Sequence, residues 1–182
     1  MEQIMTPTLT PAQYIVLEDD IRSPGNDVAL GEFIANTDDQ AIADWYNVIA
    51  VPDYWVFRNP VSRNELTQET SQDGTTFSWV GTGFIGRSAG ERDAWRELFD
   101  AGGMCNPSLA NVVQAFQDIF SGATPPAPAN RTHLAATVRR KATRVELVFA
   151  VGAGTVASPS RMATQGPLTY LEVARALRNV GA

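Results

Sequence analysis

Cysteine, histidine and lysine each occur once, as Cys105, His133 and Lys141. A single cysteine excludes an internal disulfide and fits a reducing compartment. One cysteine and one histidine cannot supply a zinc site by themselves, so no metal ligand set is expected. Long apolar runs are missing too. No stretch approaches the ~20 apolar residues of a membrane helix, and no membrane partner is expected. The first twenty residues mix acids with polar groups, so a signal peptide is not expected either. What remains is 182 residues, 44% hydrophobic and 19% charged. That is the make-up of a folded chain with one good core, or a core plus an extended arm.

Charge is distributed unevenly along this length. Residues 1–100 hold 17 acids against six arginines, and residues 101–182 hold three acids against eight bases. An acidic front and a basic tail suit a subunit that docks its tail on an acidic partner or on nucleic acid. The same polarity also suits two segments that neutralise each other within one fold. The net charge of −6 argues against nonspecific nucleic-acid binding by the whole surface.

Helix signals are legible throughout. Thr10-Pro11 reads as an N-cap followed by proline at the first helical position, opening a helix to about Arg22 with Tyr14, Leu17 and Ile21 on one face. A short helix carrying Leu30, Phe33 and Ile34 follows, and Thr37-Asp38-Asp39-Gln40 reads as a capping box for a third. Asp53 to Arg58 and Thr75 to Val80 are the predicted strands, with Ser62-x-x-Glu65 starting a short helix between them. Ser88 to Glu91 opens a helix with Trp95, Leu98 and Phe99 inward. Asn106-Pro107 opens another, with Val112, Phe116 and Ile119 at the 3.6 period. These two are expected to pack as a hairpin and supply most of the core. Thr124 to Pro128 reads as a stiff linker, followed by one helix over 131–150, an irregular stretch over 155–168, and a terminal helix capped by Thr169 and Glu172 that buries Leu171. The expected fold is mainly α: a helical bundle with a minor β element at about 53–58 and 75–80 and an irregular C-terminal extension. Its expected domains are a core over 1–122 and a Pro-linked basic arm over 123–182, packed on the core or on a neighbouring subunit.

Candidate chemistry is sparse. Gly81-Thr82-Gly83-Phe84-Ile85-Gly86 matches a dinucleotide fingerprint, but a helix rather than a parallel strand follows it, so no cofactor is expected. Asp19-Asp20 and Asp38-Asp39 are adjacent residues on helices and cannot converge on one point. His133, expected in a surface first turn, and Cys105, expected in a helix-turn gap, flank separate helices. No catalytic residue is assigned, and an enzyme would have to rely on carboxylates alone. Asn130-Arg131-Thr132 fits the glycosylation sequon by coincidence. Arg139, Arg140, Lys141 and Arg144 are the one cluster of interest. On a single helix, Arg140 and Arg144 share a face with Lys141 beside them. Such a face is either an interface for carboxylates or phosphates or a solvated surface partly paired with Glu146.

The run Arg139 to Glu146, then Phe149 to Thr155, resembles a segment of tailed-bacteriophage proteins. Ala157-Ser158-Pro159 and Leu168 to Arg175 look like its continuation, and Asn106 to Val112 and Trp55 to Arg58 are also similar. The resemblance implies a virion structural protein encoded between capsid and tail genes, assembled in the bacterial host cytoplasm. It implies a non-enzymatic head-to-tail connector (neck or adaptor) subunit forming a homo-oligomeric ring between portal and tail proteins, with packaged DNA nearby. The strand-like patch around Tyr54 to Phe57 departs from a bare adaptor bundle. It leaves room for a tail-completion or capsid-associated role, or for a nucleic-acid-binding assembly factor using the helix 131–150.

Overall fold

Reciprocal side-chain caps mark the starts of five of the described helices. The computed structural model describes residues 9–25, 27–163 and 166–178. In it, the Thr10, Ser62, Ser88 and Thr143 hydroxyls each accept the backbone N–H three residues on, and the Gln or Glu at that third position returns the bond. Thr169 and Glu172 make the same exchange. Each box satisfies donors that a helix end leaves open, worth about 1 kcal/mol per cap. The helices are α1 (Pro11–Arg22), α2 (Val28–Ala35), α3 (Asp39–Tyr46), α4 (Arg63–Gln68), α5 (Ala89–Glu97), α6 (Ala110–Ile119), α7 (Ala127–Thr137), α8 (Arg144–Phe149) and α9 (Tyr170–Arg178). Short strands β1 (Trp55–Phe57), β2 (Val61–Ser62), β3 (Met104–Cys105), β4 (Arg139–Lys141), β5 (Ala150–Val151) and β6 (Arg161–Met162) lie between them. They form three two-stranded sheets: β1 with β4, β2 with β3, and β5 with β6. The protein is mainly α with a minor β component.

Several expectations fail in instructive ways. The third helix is capped by Asp38, whose carboxylate accepts the Ala41 N–H at 3.0 Å, one residue later than Thr37. Residues 75–80 are not a strand. The helix over 131–150 does not exist as one element. α7 stops at Thr137, β4 follows, and the Thr143–Glu146 box starts α8. In α9, Leu171 is exposed while Val173 and Ala176 are buried.

The chain makes two compact units. The first joins Met1–Val56 to Lys141–Ala182, and the second is the continuous stretch Phe57–Arg140. The expected boundary at 122/123 therefore falls inside the second unit, between α6 and α7, which pack together. The single expected core is two cores. In the first unit, α9 lies against α1 and α3, burying Leu17, Ile21, Ile42, Tyr46, Phe149 and Val173. The buried Tyr46 hydroxyl donates to Asp20 at 2.5 Å. Burial first, then the hydrogen bond to Asp20 and the Asp20 charge, hold that hydroxyl protonated well above its ordinary range.

The second unit packs α5 on α6 around an aromatic cluster. Phe77 stacks on Trp95 with centroids 5.9 Å apart, and Phe120 meets both edge-on at 5.5 Å. Each such ring contributes roughly 2–3 kcal/mol by burial. The aromatic pairing adds about 1 kcal/mol per pair.

Candidate functional site

The four basic residues predicted to lie on one helix are distributed between the two units. Arg139 and Arg140 belong to the second, and Lys141 and Arg144 to the first. In the second unit Arg139 reaches Asp73 at 2.5 Å, and its side chain is only 12% exposed. In the first, Lys141 pairs with Asp53 at 2.7 Å. Arg144 lies 3.9 Å over the Trp45 ring and donates to the Trp45 carbonyl at 3.2 Å. Arg144 therefore packs its own unit as well as carrying charge.

The charge polarity of the chain has a local outcome as well. Within the first unit the basic tail lies on the acidic front. Arg178 forks onto both Asp39 oxygens at 2.6 and 2.8 Å. Arg175 sits over the Tyr14 ring, and Arg22 donates to the Leu177 carbonyl. By composition the first unit holds twelve acids against six bases, and the second eight against eight. Part of the basic tail is thus spent on its own N-terminal helices. Exposed pairs of this kind are worth only ~0.2–1 kcal/mol each, but they set register.

The glycine-rich segment has a complete structural explanation. Gly81 adopts φ +53°, a Cβ at Gly83 would collide with the Ser78 carbonyl oxygen, and a Cβ at Gly86 would lie 2.7 Å from the Gly81 oxygen. All three glycines serve one closed turn. Asn130, wholly buried, fastens it. Its side-chain oxygen accepts the Ser78 N–H at 2.8 Å, and its amide donates to Ser78 and Gly83 carbonyls at 2.9 and 3.0 Å. Arg87 donates to the Thr82 and Ser121 carbonyls and pairs with Glu91. The Ser88 amide and hydroxyl, with Arg87, hold the Glu91 carboxyl below its ordinary value. The fastened turn presents Val80 (67% exposed) and Ile85 (65%) beside Trp79, with the Ile85 N–H bonded to the Trp79 carbonyl at 3.0 Å. Sequence reading missed this surface because Trp79 and Val80 resemble a strand end. The available signal was three glycines at positions that can close a turn.

His133 is fully buried, not in a surface turn. Nδ1 lies 3.0 Å from the Thr75 carbonyl oxygen and 3.3 Å from its hydroxyl. Nε2 lies 2.9 Å from the Leu66 carbonyl oxygen. Each ring nitrogen thus has a carbonyl oxygen within hydrogen-bonding distance, and Nδ1 has a hydroxyl as well. The Thr137 hydroxyl also lies 3.4 Å from Nε2, so every partner of the ring belongs to the second unit.

Cys105, in β3, is buried. Burial pushes its thiol up to about 12, and the Glu65 and Asp100 charges add to that. A thiolate-specific reagent at pH 8 is expected to label the native chain at least about 100-fold more slowly than the urea-unfolded chain. Equal rates would contradict this placement. Among the described residues no three His, Cys, Asp or Glu side chains gather as a metal site requires, and no helix is long and apolar enough to cross a membrane.

Compared with protein families, curated proteins and solved structures, the chain matches none.

Proposed function

We propose that the chain is a non-enzymatic assembly subunit of a tailed-phage virion, joining a homo-oligomeric ring at the head-to-tail connector with portal and tail proteins as neighbours. The phage context rests on the resemblance of the segments around Arg139 to Thr155 and Leu168 to Arg175. The observation that carries the assembly role is the turn at 79–86. Three glycines, a buried asparagine and an arginine hold Trp79, Val80 and Ile85 out in a fixed shape. A backbone tied down in this way has little further freedom to lose on docking, and tryptophan is among the residue types enriched where interface energy concentrates.

The basic cluster enters this reading as two pairs rather than one face. The nucleic-acid alternative loses the helix 131–150 on which it was built. Reversing Arg144 to Glu would remove the Trp45 stack along with a charge, so it tests folding and assembly together. Counting copies of the chain per purified virion by quantitative mass spectrometry is cleaner. About a dozen are expected for a closed ring on a portal. Hundreds would make the chain a capsid component, about six a tail-end piece. Absence from the particle would overturn the reading.

A further inference from the structure

We propose that the turn at 79–86 docks on the outward face of α1 in a second copy of this chain, as a head-to-tail contact. This rests on the assembly role given to the turn above and names the surface that the turn meets.

The turn is preset for a partner. Trp79 meets the Phe77 and Phe84 rings edge-on, with centroids 5.1 and 5.0 Å away. Its ring is thus held from the core side while 41% of the residue stays exposed beside Val80 and Ile85. The Arg92 guanidinium donates to the Ile85 carbonyl at 2.9 Å and meets no carboxylate among the described residues. The apolar turn therefore has an uncompensated positive charge at its rim. A turn-on-turn contact about a two-fold axis would gather both Arg92 charges at one interface, which like-charge repulsion disfavours. The better occupant is a different surface, apolar with an acidic rim.

α1 supplies one. Leu17 and Ile21 are buried on its inner side, and Ile15 (61% exposed), Val16 (46%) and Asp19 lie on the opposite side. A helix that is apolar on both sides is ordinarily covered on both. Asp19 is exposed, and no described residue pairs with it. The two faces match in kind: apolar side chains beside an unpaired arginine on one, apolar side chains beside an unpaired aspartate on the other. The first unit carries twelve acids against six bases and the second eight against eight, so the wider field favours the same pairing. A surface that meets an unlike surface can repeat from copy to copy, which is the contact a ring requires.

Sedimentation of the purified full chain over about 10 µM to 1 mM tests this. The unaltered chain is expected to self-associate. Val80→Gln with Ile85→Gln blunts the turn, and Ile15→Gln with Val16→Gln blunts α1. All four side chains are exposed, and urea midpoints check that both variants fold. Each variant alone is expected to associate at least about tenfold more weakly. Mixed in equal amounts, the two are expected to form a one-to-one dimer, since one brings an intact α1 and the other an intact turn. An unaltered chain that stays monomeric overturns the proposal, leaving the turn to the rest of its own chain or to an unlike partner. Association that either variant leaves unweakened, or a mixture that stays monomeric, overturns it as well. Should a double variant not fold, Ile85→Ser and Val16→Ser take the two roles. The result is separable from the virion count. Association of a chain absent from the particle would overturn the phage assignment alone, and a monomeric chain present at about a dozen copies would overturn this contact alone.

Discussion

Gly154→Ala is expected to destabilise the protein by about 3 kcal/mol, the sum of a backbone cost and a steric one. Gly154 has φ +63°, and a Cβ there would lie only 2.0 to 2.3 Å from three Tyr54 ring carbons. The ring cannot retreat easily. Its hydroxyl donates to the Gly152 carbonyl at 3.0 Å and shares a 2.7 Å hydrogen bond with Ser160. The Trp55 N–H meanwhile donates to the Gly154 carbonyl at 2.8 Å. Gly25 supplies the comparison, with φ +59° and nothing within 4 Å of its virtual Cβ. Gly25→Ala is expected to cost only about 1 kcal/mol, the backbone part. In a Tyr54→Leu background, Gly154→Ala should fall toward that same value. Urea midpoints at unchanged m-value measure all of these. Equal losses at residues 25 and 154 would show that the ring contact contributes nothing.

Asn130→Ala carries the second large effect. Three hydrogen bonds disappear, leaving the Ser78 N–H and the Ser78 and Gly83 carbonyls without their partner around a fully buried site. Net bond losses near 1 kcal/mol each, together with unmet desolvation, give about 3–5 kcal/mol. Asn130→Asp is no remedy at neutral pH. Its carboxylate can still accept the Ser78 N–H, but its other oxygen faces two carbonyls. Chemical denaturation, with limited proteolysis across 79–86, reads both stability and the state of the turn. A loss under about 1 kcal/mol with the turn still protected would mean that the glycine geometry holds it unaided. Burial also settles the sequon reading of this asparagine: its amide is committed to the backbone inside the fold.

Helix starts with a capping box were legible because their cause is local, whereas α6 and α7, which lack a side-chain cap, begin at Ala110 and Ala127 rather than at Asn106-Pro107 and Arg131. A Thr or Ser with Glu three residues on needs no tertiary information, and the boxes at Ser62, Ser88 and Thr169 stand where their residues indicated. The same signal at Thr143–Glu146 was present but passed over, because the apolar stripe from Leu134 to Phe149 suggested continuity. A stripe at helical spacing also arises when two helices and a strand feed one side each to separate cores. Two-residue strands such as β2 and β3 were out of reach, since pairing alone defines them: Val61 with Cys105 and Ser62 with Met104. The interior position of His133 was likewise invisible, as its partners Leu66 and Thr75 lie 67 and 58 residues away. The basic cluster was read on one helix, and β4 interrupts it, so Arg139 and Arg140 fall in one unit and Lys141 and Arg144 in the other.

The nesting of one unit's sequence inside the other has a consequence for the chain as it leaves the ribosome. Phe57–Arg140 is continuous and can complete its core once its own residues have emerged. Leu17, Ile21 and Ile42 share their core with Phe149 and Val173. At ordinary elongation rates of about 5–20 residues per second, they wait roughly 5 to 30 s for those partners. The inserted unit is thus the first to finish, and the helices made first are the last to be covered.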